Sequence, residues 1–118
     1  MTVPSNAPAA QDAMDPTDIV DFVIDLAALL DEGEMFDAID FAVMVESVLL
    51  GFTILDRAPH APTEVDATRV KIWVTVDPAF RNAAAWKGKG TICGVEFTAT
   101  TDRGRQFQRT IAIGVVEK

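Results

Sequence analysis

Few side chains in this chain could do chemistry, and none stands in a pattern that chemistry requires. His60 is the sole histidine, set between Pro59 and Pro62 in an aperiodic stretch. Acid–base work needs a carboxylate or nucleophile held beside the ring, and the spacing supplies neither, so His60 reads as a solvated loop residue. The only serines are Ser5 and Ser47, and neither sits in a Gly-x-Ser-x-Gly turn. Cys93, the single cysteine, falls among alternating apolar residues. It reads as a small core residue rather than a nucleophile, and alone it can form neither an internal disulfide nor a metal-ligand spacing. The expectation is a protein that is not an enzyme, with no catalytic, cofactor-binding or metal-binding residue and no cofactor.

Two charged stretches and two tryptophans remain. Asp12, Asp15, Asp18 and Asp21 recur every third residue. On a helix they would share a face and could hold Ca²⁺, but the oxygen-rich loop with its central glycine is missing and Pro16 interrupts. Lys87-Gly88-Lys89-Gly90-Thr91 lacks the Gly-x-x-x-x-Gly-Lys-Thr spacing of a phosphate loop, so it reads as a turn leading into a strand. Trp73 and Trp86 could serve as sugar-stacking platforms or interface anchors. Trp73 lies in a strand pattern and is equally well read as a packed residue, whereas Trp86, in a loop, is the better contact candidate. The residues expected to meet a partner are thus Asp12, Asp15, Asp18, Trp86, Lys87 and Lys89.

The elements that must position these residues are strands. From Thr91 to Val116 the chain alternates with period two. Cys93, Val95, Phe97 and Ala99 lie on one face, followed by Phe107, Arg109, Ile111, Ile113 and Val115 in a second arm. Matching the faces pairs Thr101 with Arg105 and leaves Asp102-Arg103-Gly104 as a three-residue hairpin loop, with Gly104 at the left-handed position. In that register Ala99 faces Phe107 and Val95 faces Ile111, while Arg109 breaks the apolar row. Thr68 to Val76 is a further strand, with Val70, Ile72, Val74 and Val76 on one side and Trp73 on the other. Met35 to Val48 alternates as well, and Leu49 to Leu55 carries a short strand after Gly51. Asp18 to Leu30 supports both a strand and a helical stripe; a strand from Val20 to about Leu26, then a helical turn over Ala27 to Leu30, fits best. Asp56 to Ala67 and Asp77 to Gly90 are connections. Residues 1–17, small, polar and Pro-containing, read as an extended arm ordered only on a partner. On that reading, deleting residues 2–17 leaves stability unchanged. The predicted architecture is all-β, an immunoglobulin-like β-sandwich over residues 18–118 with an N-terminal arm over 1–17. An α+β domain with a helix at Asp18 to Leu30 is the alternative.

Charge sorts along the chain. The 118 residues carry a net −8. Residues 1–56 hold twelve acidic residues and no Lys or Arg, while residues 57–118 hold all ten basic residues against six acidic ones. An acidic chain has no general affinity for nucleic acid. Segregated charge suits subunits that meet unlike surface to unlike surface. No apolar run approaches the ~20 residues that span a bilayer, and no basic region followed by an apolar block opens the chain. These features suggest a protein made, or assembled, in the cytosol.

Three pieces, in order, carry a family resemblance. They are Met14-Asp15-Pro16-Thr17-Asp18 running into Asp21-Phe22-Val23-Ile24-Asp25; then Leu30-Asp31-Glu32-Gly33-Glu34; then Thr98-Ala99-Thr100-Thr101 with Gly104-Arg105 and Arg109-Thr110-Ile111-Ala112-Ile113. The pattern resembles small tailed-bacteriophage proteins described as fiber–tail adaptors. It departs from them at Leu26, where the family often has Trp, and in a longer middle. The resemblance implies an immunoglobulin-like virion structural protein that joins fibers to the tail, is assembled in the host cytoplasm, and binds other virion proteins and copies of itself. It implies no nucleic-acid or membrane partner. A capsid cement or decoration protein, or a carbohydrate- or host-surface-binding module, stands as the alternative.

Overall fold

The computed structural model describes residues 13–118. Seven strands form two antiparallel sheets: β1 (Val20–Asp25), β2 (Phe36–Val43), β3 (Phe52–Ile54), β4 (Thr63–Glu64), β5 (Arg69–Val76), β6 (Thr91–Thr101) and β7 (Gln106–Val115). One sheet runs β1-β5-β3, with β4 also pairing β5; the other runs β2-β6-β7. The protein is an all-β sandwich. Among the described residues the longest helix, α1 (Val45–Val48), has four residues.

Alternation in sequence becomes burial in space. Val70, Ile72, Val74 and Val76 of β5 meet Cys93, Val95, Phe97 and Ala99 of β6 in one core, which Ile113 and Val115 of β7 complete. Both central strands bury one whole face because each has a neighbour on either side. Trp73 points the other way and packs on His60, with ring centroids 4.8 Å apart. The hairpin has the expected register: Ala99 opposes Phe107 and Val95 opposes Ile111. Thr101 N–H donates to Arg105 O at 2.9 Å, and Gly104 N–H to Thr101 O at 3.0 Å. Gly104 takes φ +79°, as its turn position demands. The stretch that supported two readings resolves as β1 followed by a 3₁₀ turn over Ala27–Leu29.

Three expectations need correction. The strand predicted over Met35 to Val48 stops at Val43. Met44 N–H closes the ladder on Gly94 O (2.9 Å), and the backbone then coils, Val48 N–H donating to Met44 O and Leu49 N–H to Val45 O. Ser47 tucks under the end of β6 and accepts from Gly94 N–H at 2.9 Å. The chain must turn here to reach the opposite sheet, so the valines that continue the alternation end up outside; Val45 is 68% exposed. The loop Asp56 to Ala67 contains the short β4, which pairs Val70 and Lys71. The third correction concerns the arm. Most of residues 1–17 lies outside the described residues, but its last part is integral to the domain. Met14 is 2% exposed and sits in the core cluster, and Pro16 is fully buried. Met14 forms a parallel bridge with Val115, donating to Gly114 O (3.0 Å) and accepting from Val116 N–H (2.9 Å).

Candidate functional site

Among the described residues, two polar clusters tie distant segments of the chain together. The first is the turn of the β6–β7 hairpin. Glu34, at the end of the Asp31–Glu34 turn, has a side chain with no solvent exposure. It accepts from Thr101 Oγ1 (2.7 Å), from Arg105 Nε (2.9 Å), from the other arm of the Arg105 guanidinium, and from the Asp31 backbone N–H (2.9 Å). Both carboxylate oxygens are therefore satisfied, as a buried charge requires. The Arg105 hydrogen bonds, outweighing burial, hold the Glu34 carboxyl far below the usual range. The same guanidinium donates to Leu29 O (3.0 Å) and lies 4.9 Å from the Phe107 ring centroid. Around it Asp102 N–H donates to Met35 O, Met35 N–H donates to the Asp102 carboxylate, and Arg103 donates to Glu32 O. The β1–β2 connection is thereby clamped to the hairpin tip.

The second place is the start of the described chain. Asp15 accepts from Thr17 N–H (2.9 Å) and Thr17 Oγ1 (2.6 Å) on one oxygen and from Lys118 N–H (2.7 Å) on the other. These bonds, led by that from Lys118, lower its pKa from 3.8 to about 2. Asp18 accepts from Asp15 N–H at 2.9 Å, and its carbonyl accepts from Thr75 Oγ1 at 2.8 Å. The segment from Met14 to Asp18 thus fastens β7 of one sheet, then crosses to β5 and enters β1 of the other.

The expected contact residues fall out as follows. Asp12 lies outside the described residues. Asp15 and Asp18 are brought together, but their carboxylates accept hydrogen bonds from within the chain: Asp15 from Thr17 and Lys118, Asp18 from Asp15 N–H. Trp86 is corrected outright. It is 0% exposed, its Nε1 donates to Phe80 O at 2.8 Å, and its carbonyl accepts from Glu117 N–H at 2.7 Å. A loop tryptophan with no alternating neighbours looked free. In fact its indole belongs to the core cluster, with Ala83 and Ala85 of the same connection packed against that core, while Phe80 stays 41% exposed. Lys87 pairs with Glu117 at 3.3 Å, both half-exposed, and Lys89 is exposed. Burial pushes the Cys93 thiol up to about 11, which suits a core residue. Among the described residues, no three acidic, histidine or cysteine side chains converge as a metal site needs.

Glu34, Thr101 and Arg105 are not among the contact residues expected from the sequence. Their signal was indirect: Gly33-Glu34 and Gly104-Arg105 are opposite charges, each placed directly after a turn glycine. No protein-family model matches this chain, and a search of curated proteins finds no relative.

Proposed function

We propose that this protein is a non-enzymatic structural component of a tailed-phage particle, an adaptor that joins fibers to the tail. The observation that carries the reading is where the resembling pieces lie. The Leu30–Glu34 piece and the Gly104-Arg105 piece, far apart in sequence, meet in the Glu34–Arg105 clamp. The Met14–Asp18 piece fastens onto the last strand through Met14 and Asp15. Residues that look alike only as short strings are thus the ones that join segments, a reason for such strings to recur together. Strand order supports the immunoglobulin-like part of the reading. The sheets β1-β5-β3 and β2-β6-β7 correspond to strands B-E-D and C-F-G of that sandwich, with Met14 added in parallel to the last strand. Burial of Trp86 weakens the sugar-binding alternative by removing its better platform.

The test is to look for the protein in purified particles of the phage whose genome encodes it. Mass spectrometry should find it there, and immunogold labelling should fall at the junction of tail and fibers. Label over the capsid would favour the cement reading instead. Absence from the particle would end both.

A further inference from the structure

Sheet β2-β6-β7 ends at β2, and among the described residues no strand pairs with its outer side. The chain leading to Met14 comes in at the far side of the sheet, where Ala13 lies beside Gly114 of β7. Met44 N–H donates inward to Gly94 O, and the register is regular from Ala38 to Val43. The backbone N–H and C=O groups of Ile39, Phe41 and Val43 therefore point away from β6. The side chains of these three residues stand on the core face, opposite Ala99, Phe97 and Val95, yet each stays partly exposed. The edge leaves both its ladder groups and the rim of the core unfinished. One added strand would complete both.

Charge says what that strand must carry. Asp40 opposes Thr98 and Ala42 opposes Glu96, on the outer face of the sheet. Asp40 and Glu96 are the charges of that face, and its other residues on β2, β6 and β7 are uncharged. Glu96 accepts from Gln108 Nε2 at 3.0 Å. Asp40 is exposed and makes no hydrogen bond or ion pair among the described residues. It lies between the outward groups of Ile39 and Phe41. In an antiparallel pair the residue opposite it takes a non-hydrogen-bonded position, where Cα atoms approach to ~4.5 Å and side chains are closest. Lys or Arg there would pair with the carboxylate, and an acid there would be repelled. The residues on either side would turn inward onto Ile39, Phe41 and Val43, so they must be apolar.

A second copy does not meet these terms among the described residues. Its β2 brings aspartates of its own, and its β5, with Arg69 and Lys71, is paired on both sides. Its β7 holds Arg109 in the row of Phe107 and Ile111, which faces its own core.

We infer that the β2 edge takes an extended strand of another protein, antiparallel to β2, in which apolar residues alternate with Lys or Arg and one basic residue stands opposite Asp40. The inference rests on the edge and its charge, and stands apart from any place in a phage particle.

The experiment titrates the purified full chain into a fluorescein-labelled peptide of alternating Val and Lys, matched to the eight residues of β2, and reads anisotropy. Binding should saturate and weaken as salt rises. The chain is acidic overall, so a second peptide, N-methylated at its valines, separates strand addition from charge alone: it keeps every lysine but cannot donate to β2. It should bind at least about tenfold more weakly. Asp40→Lys should weaken the Val-Lys peptide by about tenfold or more and favour a Val-Glu peptide instead. Unchanged circular dichroism and melting would certify the variant's fold. As a readout free of mutation, amide exchange at Ile39, Phe41 and Val43 should slow when the Val-Lys peptide is added to the wild type. No saturable binding up to about 1 mM, equal binding of the methylated peptide, an Asp40→Lys variant that binds as the wild type does, or exchange that ignores the peptide would each overturn the inference. So would exchange at these amides that slows with protein concentration alone, since a second copy would then cover the edge.

Discussion

Glu34 carries a full charge with its side chain closed off from water, and Arg105 makes that tolerable. The two are unequal. Arg105 keeps part of its surface in solvent, whereas Glu34 depends wholly on its partners. Removing the guanidinium therefore strands a buried carboxylate, while Glu34→Gln removes the charge itself. Arg105→Ala should lower the melting temperature at neutral pH more than Glu34→Gln. Acid should reverse part of that order. The Glu34 carboxyl has its folded pKa depressed from an ordinary 4.5. Its contribution is complete above that value and is lost as pH falls below it toward the depressed one. Melting of the wild type should thus decline between about pH 5 and pH 3, and Glu34→Gln should flatten that decline. A Glu34→Gln curve parallel to the wild type would mean the clamp does not govern acid stability. None of this could be read from residue types alone, since a Gly-Glu turn and a Gly-Arg turn announce turns and not each other.

At the scale of elements, what was legible followed from local rules. The β6–β7 hairpin needed only its period of two and one glycine, so its register could be read from the sequence. The connections were opaque because their order comes from single long-range anchors. Trp86 fills the end of the core, and Ser47 meets Gly94 across the sheet. Two glycines separate these cases. Gly104 has φ +79° and open space where a Cβ would go, so Gly104→Ala costs only backbone strain, roughly 1–2 kcal/mol. Gly90 has φ +72°, but a Cβ there would sit 2.2 Å from Val115 O. Gly90→Ala must strain the backbone and also push β7 away from the turn before β6. Urea unfolding should show the larger loss for Gly90→Ala. Equal losses would mean that this close approach relaxes without cost.

For the molecule as a whole, the segment from Met14 to Asp18 matters more than its composition suggested. A strand that alternates advertises its core face. Met14 does not, because its burial depends on an edge supplied by the far end of the chain. Its side chain fills the core beside Val115 while its backbone completes the last ladder bonds of β7. The same few residues then cross to Thr75 and feed β1, so they staple one sheet to the other. Deleting residues 2–17 removes Met14, Pro16 and the Asp15 carboxylate that receives Lys118 N–H. We therefore expect the deletion to lower the melting temperature, contrary to the reading of a free arm. Met14→Ala isolates the packing share, and burial this complete should make it worth about 2–5 kcal/mol. Asp15→Asn, which keeps the shape and weakens the acceptors, should cost less. If the deletion melts like the full chain, the crossing contributes nothing to the sandwich and the closure of β7 by Met14 is incidental. If the deletion and Met14→Ala fall together, the side chain rather than the ladder is what holds the two sheets at this corner.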